Sequence, residues 1–107
     1  MRIAFTFRNL ESSEAIKRHA TEKLSKLQKY VRAPIQAEVT LSVDRHLHCI
    51  DVSMTSRGES YMGREESADM YASIDSVVDK IKKQLIRHKD ARDTRRRSSG
   101  SWQAVGK

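Results

Sequence analysis

Apolar and polar residues alternate in four stretches of the chain, which predicts four β-strands. The first covers residues 3–7, where Ile3, Phe5 and Phe7 share one face. The second, residues 35–43, alternates strictly and is the clearest strand signal in the chain. A turn near residues 44–47 separates it from a third strand around residues 50–54, and a weaker fourth strand covers about residues 60–65.

Two other stretches repeat with the 3.6-residue period of an amphipathic helix. The first covers residues 14–31 and should end before Pro34, because proline lacks the backbone N–H that a helix needs. The second begins at a cap, either Ser67 or Asp69, and runs to about Lys89. Its apolar stripe consists of Met70, Ile74, Val77, Val78, Ile81 and Leu85.

The resulting order of elements is β-α-β-β-β-α. A right-handed crossover makes the first two strands parallel, and the last three form an antiparallel meander with a hairpin turn at Arg57-Gly58-Glu59. Because each helix has a single apolar face, both helices are expected to pack on one face of the sheet. The sequence therefore predicts an α+β domain over residues 1–90, with a four-stranded mixed sheet.

The remaining residues, 91–107, have a different composition. They contain four arginines and one lysine against one aspartate, and they show no periodicity. Such a segment has too little apolar surface to order itself, so we expect a flexible basic tail.

Length and composition restrict the class of protein. The 107 residues suffice for one domain, and no run of about 18 apolar residues is present to span a membrane. The N-terminus lacks the apolar region and cleavage site of a signal peptide. Cys49 is the single cysteine, so no internal disulfide can form. We therefore expect a cytoplasmic protein with no membrane partner.

The formal net charge of +7 suggests a polyanionic partner, and the first helix carries part of that charge in a stripe. At about 100° per residue, Lys23 and Lys26 fall with His19 on one flank of the apolar face. Lys29 points outward from the same helix. The alternative is that these are ordinary solvated positions.

The second helix carries a comparable stripe, formed by Lys80, Lys83 and Arg87. Lys82 and Lys89 lie on the opposite flank. If the two helices lie side by side, the stripes form one basic face on which several cations bind phosphates together. This arrangement favours binding of nucleic acid over a purely solvated surface.

Other residues do not form a convincing metal site or catalytic site. His46 and His48 would share one face of a strand while Cys49 points to the other, so we do not expect a metal site. Asp75 and Asp79 are expected on exposed helix surface, away from the basic stripe. No phosphate loop or nucleophile motif is present. We therefore predict a binding protein with no catalytic residues, cofactor or small-molecule substrate.

Three segments resemble the short ribosome hibernation-promoting factors, a family that includes the ribosome-associated translation inhibitor. They are residues 20–30, residues 37–43 and residues 66–75. The third is the most specific, because it contains Asp-Met-Tyr-Ala-x-Ile-Asp from Asp69 to Asp75. The resemblance covers about residues 1–90 and does not reach the tail.

The resemblance implies a fold like that of a double-stranded-RNA-binding domain. It also implies binding to the small ribosomal subunit and its ribosomal RNA, in the channel used by mRNA and tRNA. Whole ribosomes would then be held inactive in stress or stationary phase by steric occlusion, and the free protein is expected to be a monomer. The alternative is a general structured-RNA-binding module or RNA chaperone.

Matching the family residue by residue places its RNA-contacting positions on Lys23, Lys26, Lys29, Lys80, Lys83, Arg87 and Lys89. Weaker contacts are expected from the tail residues Arg92, Arg95, Arg96 and Arg97. The tail has about the length of the inhibitor's tail but is basic. Whether the protein promotes or prevents pairing of ribosomes therefore stays open.

Overall fold

The computed structural model describes the backbone of residues 1–98 and the side chains of residues 1–88, and it has the predicted β-α-β-β-β-α order. A short 3₁₀ segment follows the first helix. The elements are β1 (Arg2–Arg8), α1 (Glu14–Ser25), the 3₁₀ segment (Lys26–Tyr30), β2 (Gln36–Asp44), β3 (Leu47–Ser56), β4 (Glu59–Ser67) and α2 (Met70–Ser98).

The four strands form one mixed sheet in the order β1-β2-β3-β4. β1 and β2 are parallel, and the other two pairings are antiparallel, as predicted. One row of partners crosses the sheet through Phe5, Val39, Val52 and Gly63. Because side chains alternate along a strand, this row lies on the face that is covered by the helices, and the neighbouring rows lie on the other face.

The hydrophobic core lies between the sheet and the two helices. α1 contributes Ala20 and Leu24, and the 3₁₀ segment contributes Leu27. α2 contributes its predicted stripe, in which Ile74, Val77 and Ile81 are fully buried. Fully burying one such aliphatic side chain stabilises the fold by roughly 1.5–3 kcal/mol. The α+β architecture predicted from the sequence is therefore confirmed.

α2 approaches the sheet closely at Gly63, a residue of β4. A Cβ atom at this position would lie 3.0 Å from Val77 Cγ2 and 3.3 Å from Ile81 Cγ1. Both distances are shorter than ordinary van der Waals contact between carbon atoms. The absence of a side chain at Gly63 therefore sets how near the helix lies to β4.

Hydrogen bonds of the residues around Asp69 hold the start of α2. Asp69 Oδ2 accepts a bond of 3.3 Å from the backbone N–H of Ala72, so Asp69 is the N-cap. Ser67, the other predicted cap, instead bonds the backbone of Asp69. Ser73 is fully buried, and its hydroxyl donates a 2.7 Å bond to the backbone carbonyl of His48 in β3. These bonds fix the first turns of α2 against the sheet.

The hairpin turn between β3 and β4 has the predicted location. Arg57 and Gly58 both have positive φ, 55° and 78°, as the two central residues of a type I′ turn require. This turn matches the right-handed twist of the flanking strands and sets their register.

Both helices differ from the prediction at their C-terminal ends. The first was expected to be one helix over residues 14–31, but its α-helical part ends at Ser25. α2 continues past the expected end near Lys89 to Ser98, so residues 91–98 of the predicted tail are helical. The end of α2 was predicted from its apolar stripe, whose last residue is Leu85. Alanine and arginine have high helix propensity, so the helix continues beyond the stripe. Residues 99–107 lie outside the described residues, and the division at residue 90 stays a prediction.

The sheet face opposite the helices carries a polar cluster. Arg64 donates bonds to Asp51 Oδ2 at 3.0 Å, Glu66 Oε2 at 3.1 Å and Cys49 Sγ at 3.3 Å. Cys49 in turn donates to Glu66 Oε2 at 3.2 Å. Burial raises the pKa of the Cys49 thiol, and its bond to Glu66 raises it further. The bonds from Cys49 and Arg64 lower the pKa of the Glu66 carboxyl.

Replacing Gly63 with valine should test the close approach of α2. We expect Gly63→Val to lower the free energy of unfolding by about 1–3 kcal/mol, because the added side chain overpacks the contact with Val77. Urea unfolding followed by circular dichroism measures this change. The matched control is Met62→Val on the opposite face, where the side chain is 63% exposed; a change within about 0.5 kcal/mol is expected there. Equal effects of both substitutions would contradict the packing argument.

The Cys49 thiol should react slowly in the folded protein. It is only 5% exposed and its pKa is raised, so little of the nucleophilic thiolate is available at pH 8. We expect iodoacetamide to modify the folded protein at least about tenfold more slowly than the protein in denaturant. Mass spectrometry of timed samples gives both rates, and similar rates would show that the thiol is accessible.

Candidate nucleic-acid interface

α1 and the 3₁₀ segment lie beside α2 and leave a groove between them, which we call the interhelical groove. Its volume is about 330 Å³. It is lined by Lys23, Lys26, Leu27, Lys29, Tyr30, Asp75, Val78, Asp79 and Lys82. Four lysines and two aspartates thus surround an apolar floor, and the groove carries a net positive charge.

Three lysines from consecutive turns form the wall on the α1 side. Lys23 and Lys26 lie on the flank that faces α2. Lys29 also lines the groove, although the prediction pointed it outward. The change to a 3₁₀ segment explains this difference, because about 120° per residue places Lys29 directly above Lys26. A continuous α-helix would have turned Lys29 away by about 60°.

The wall on the α2 side presents Lys82, whose position in the helical period lies on the opposite flank from the predicted basic stripe. Periodicity along one helix gives angles about its own axis, but it does not show which flank meets a neighbour. The contact between His19 and Asp75, with Nε2 and Oδ1 2.9 Å apart, identifies the flank of α2 that faces α1. Lys82 lies seven residues after Asp75, two helical turns further along the same flank.

Lys80, the first residue of the predicted stripe of α2, faces away from α1. Lys80 Nζ lies 2.7 Å from Glu65 Oε2 and donates a 3.3 Å bond to the backbone carbonyl of Arg64. Gln84 on the same flank donates to the carbonyl of Met62 at 2.7 Å. These side chains cover carbonyls of the edge strand β4, which would otherwise be open to pairing with another strand. The structure therefore does not bring Lys80 together with the lysines of α1.

The other predicted positions of α2 have different surroundings. Lys83 Nζ lies 3.1 Å from Asp79 Oδ2, one turn away on the same helix, and Arg87 is exposed. Lys89 has a described backbone only. The same holds for the tail positions, which lie in the helical part of the tail: Arg92, Arg95, Arg96 and Arg97.

The expectation that the aspartates lie away from the basic face is wrong. Asp75 and Asp79 both line the interhelical groove, because they share the flank of α2 that meets α1. The ring of His19 also contacts Tyr71 edge to face, with centroids 5.0 Å apart. These contacts place a polar link between the two helices at the end of the groove nearest Asp75.

The lysines that line the groove have few protein partners. Within residues 1–88, no ion pair involves Lys23, Lys26, Lys29 or Lys82. Lys29 Nζ instead lies 5.3 Å from the centroid of the Tyr30 ring, a cation–π distance. These ammonium groups are therefore available to anions in a way that Lys80 and Lys83 are not.

The side chains of His46, His48 and Cys49 do not point toward a common site. His46 and His48 were expected to share one strand face. His46 instead lies in the turn before β3. Cys49 is bonded to Glu66 and Arg64 on the face away from the helices. In the part of the chain with described side chains, no three His, Cys, Asp or Glu residues are placed to hold a metal ion.

Neither helix within residues 1–98 has the length and apolar character needed to cross a membrane.

The fold matches two solved structures. The crystal structure of the Thermus thermophilus Protein Y N-terminal domain superposes with a TM-score of 0.79 at 32% sequence identity, covering 82% of this chain and 99% of that one. A ribosomal subunit interface protein from Coxiella burnetii has a TM-score of 0.74, with 84% of this chain and 99% of that chain covered. The second pair is only 23% identical, so it supports the fold alone.

The sequence comparisons agree with this match. The ribosome hibernation promoting factor of Salmonella typhimurium is 37% identical over 90 residues, which cover 84% of this chain and 95% of the relative. The family model described as Sigma 54 modulation protein / S30EA ribosomal protein matches residues 3–93. The resemblance inferred from three sequence segments is thereby confirmed, and the chain belongs to the Sigma 54 modulation protein / S30EA ribosomal protein family.

Proposed function

We propose that this protein is a ribosome hibernation factor that binds the small ribosomal subunit and represses translation. The observation that carries the proposal is the interhelical groove, where four lysines without ion-pair partners in the described structure face solvent together. The name of the Salmonella typhimurium relative, ribosome hibernation promoting factor, supports the same function.

The mechanism we propose is binding followed by steric occlusion. Lysines that neutralise phosphates release condensed counterions, so the affinity for RNA should fall steeply with salt. Side chains cannot read bases in the deep major groove of A-form RNA, and recognition would therefore follow backbone geometry and shape. A domain held in the mRNA/tRNA channel of the small subunit would exclude both ligands. The proposed activity requires no bond to be made or broken, and hence no catalytic residue or cofactor.

Within this proposal, the basic residues would contribute unequally. Lys23, Lys26 and Lys29 would form the principal phosphate contacts, since they are accessible and lie on one wall. Lys80 and Lys83 would contribute less, because binding RNA would compete with their ion pairs to Glu65 and Asp79.

The remaining predicted contacts would extend the surface. Arg87 is exposed further along α2, and Lys89 would follow it. The weaker contacts assigned to Arg92, Arg95, Arg96 and Arg97 would continue along the helix beyond Lys89. We propose that the protein acts in the cytoplasm, where ribosomes are found, and is a monomer when it is not bound to them.

Replacing all three lysines of the α1 wall should weaken ribosome binding. We expect Lys23→Ala with Lys26→Ala and Lys29→Ala to lower affinity for small subunits at least about tenfold at moderate salt. The slope of log affinity against log salt should also fall by about three, one unit for each lost phosphate contact. Co-sedimentation with purified small subunits at several salt concentrations measures both quantities.

The control for this experiment is Arg8→Ala, which removes an exposed positive charge from the sheet face opposite the helices. Its affinity and salt slope should stay near those of the unchanged protein. Equal losses in the control and the triple variant would refute a localised RNA surface. Competition by free duplex RNA as strong as that by ribosomes would instead favour the general RNA-binding module.

A further inference from the structure

The floor of the interhelical groove is apolar, which phosphate binding alone does not require. Leu27 is 1% exposed, and Tyr30 and Val78 are half-buried beside it. A concave apolar surface with a few polar groups at its edge is the usual form of a site for a small organic group. In RNA, the group of this kind is an unstacked base, which proteins bind by stacking and by contacts to its edge.

The size of the groove limits what can enter it. Its volume of about 330 Å³ lies near the lower end of the range of roughly 300–1,000 Å³ found for ligand sites. A base pair within a helix cannot enter, because its edges are shielded by two backbones. A single nucleotide turned out of the stack can place its base on the floor and its phosphates against the lysine walls.

The aspartates indicate which base fits. A carboxylate repels phosphate, so Asp75 and Asp79 weaken a purely phosphate-binding surface. Each has one oxygen engaged, Asp75 Oδ1 with His19 and Asp79 Oδ2 with Lys83, and the second oxygen of each accepts no bond from the described side chains. An ionised carboxylate is an acceptor only, so its counterpart must be a donor. Guanine is the base that presents two adjacent donors, N1–H and the N2 amino group, on its Watson–Crick edge.

We propose that the interhelical groove binds an unpaired guanine nucleotide of the RNA. Its base lies on the half-buried Tyr30 and Val78, with the buried Leu27 beneath them, and its edge donates to a carboxylate of α2. Its flanking phosphates contact the lysines on both sides. The inference rests on the proposed RNA-binding function. It adds a preferred ligand, an extruded guanosine, to a surface that otherwise recognises only the shape and charge of the RNA backbone.

Short RNA hairpins test this proposal directly. The probes are a fully paired hairpin and four versions that differ only in one bulged nucleotide: G, A, C or U. Fluorescence anisotropy at one fixed salt concentration measures the dissociation constants. We expect the G bulge to bind at least about tenfold more tightly than the paired hairpin, as one well-placed base contact provides, and more tightly than the other bulges.

A single substitution separates base recognition from general electrostatics. Asp79→Asn removes a negative charge, so it should leave binding to the paired hairpin unchanged or stronger. It should also reduce the preference for the G bulge to less than about threefold, because asparagine replaces one acceptor oxygen with an NH2 donor, which cannot pair with a second donor of guanine. The matched control is Glu22→Gln, which neutralises an exposed carboxylate of α1 outside the groove lining and should retain the preference.

The outcomes distinguish this inference from the function on which it rests. Equal affinities for the four bulges, or an unchanged G preference in Asp79→Asn, would overturn the guanine proposal. Binding of small subunits, and its loss in the triple lysine variant, would still stand in that case. If the protein does not co-sediment with small subunits at all, the proposed function fails regardless of the hairpin results.

Discussion

The close packing of α2 against β4 is the constraint on which the helical side of the molecule depends. Gly63 allows Val77 and Ile81 to reach the sheet, and Ser73 ties the start of the helix to β3. With α2 held at this distance and angle, one of its flanks covers the carbonyls of an edge strand and the other faces α1. Both flanks carry lysine, but the lysine on one flank contacts β4 and the lysine on the other lines the groove beside α1.

This division of α2 separates a cation that covers the edge of the sheet from one that is free to bind a ligand. Lys80 has an acidic partner and a backbone carbonyl within hydrogen-bond distance, and it protects β4. Lys82 has no ion pair in the described structure and opens onto the groove. Exposed ion pairs contribute little to stability, so the geometry of Lys80 matters more for covering the strand edge than for energy. The net charge of the chain does not distinguish these roles.

The proposed function needs a surface and no reaction chemistry. A domain that blocks a channel must bind a large RNA tightly enough to exclude other ligands, and the proposal assigns this binding to lysines on adjacent helices, through contacts with phosphates. The apolar floor and the two aspartates of the interhelical groove are not explained by phosphate binding. The proposed guanine contact assigns them a role and would add a local preference to recognition by shape.

The sequence by itself determined the order of the elements, the apolar face of the first strand, the hairpin at Arg57 and Gly58, and the family. The first three are local properties, because alternation, helical period and turn residues are each set by neighbours along the chain. The position of Lys29 was missed because the helix tightens into a 3₁₀ segment after Ser25, a change that the apolar spacing does not reveal.

Only the tertiary structure decided which flank of α2 meets α1. A helical period places Lys80 and Lys82 on opposite flanks but does not choose between them. That choice depends on how the helix lies on the sheet and on which side chains then face α1. As a result Lys82, Asp75 and Asp79 line the interhelical groove while Lys80 covers β4, an arrangement set by contacts between residues far apart in the chain.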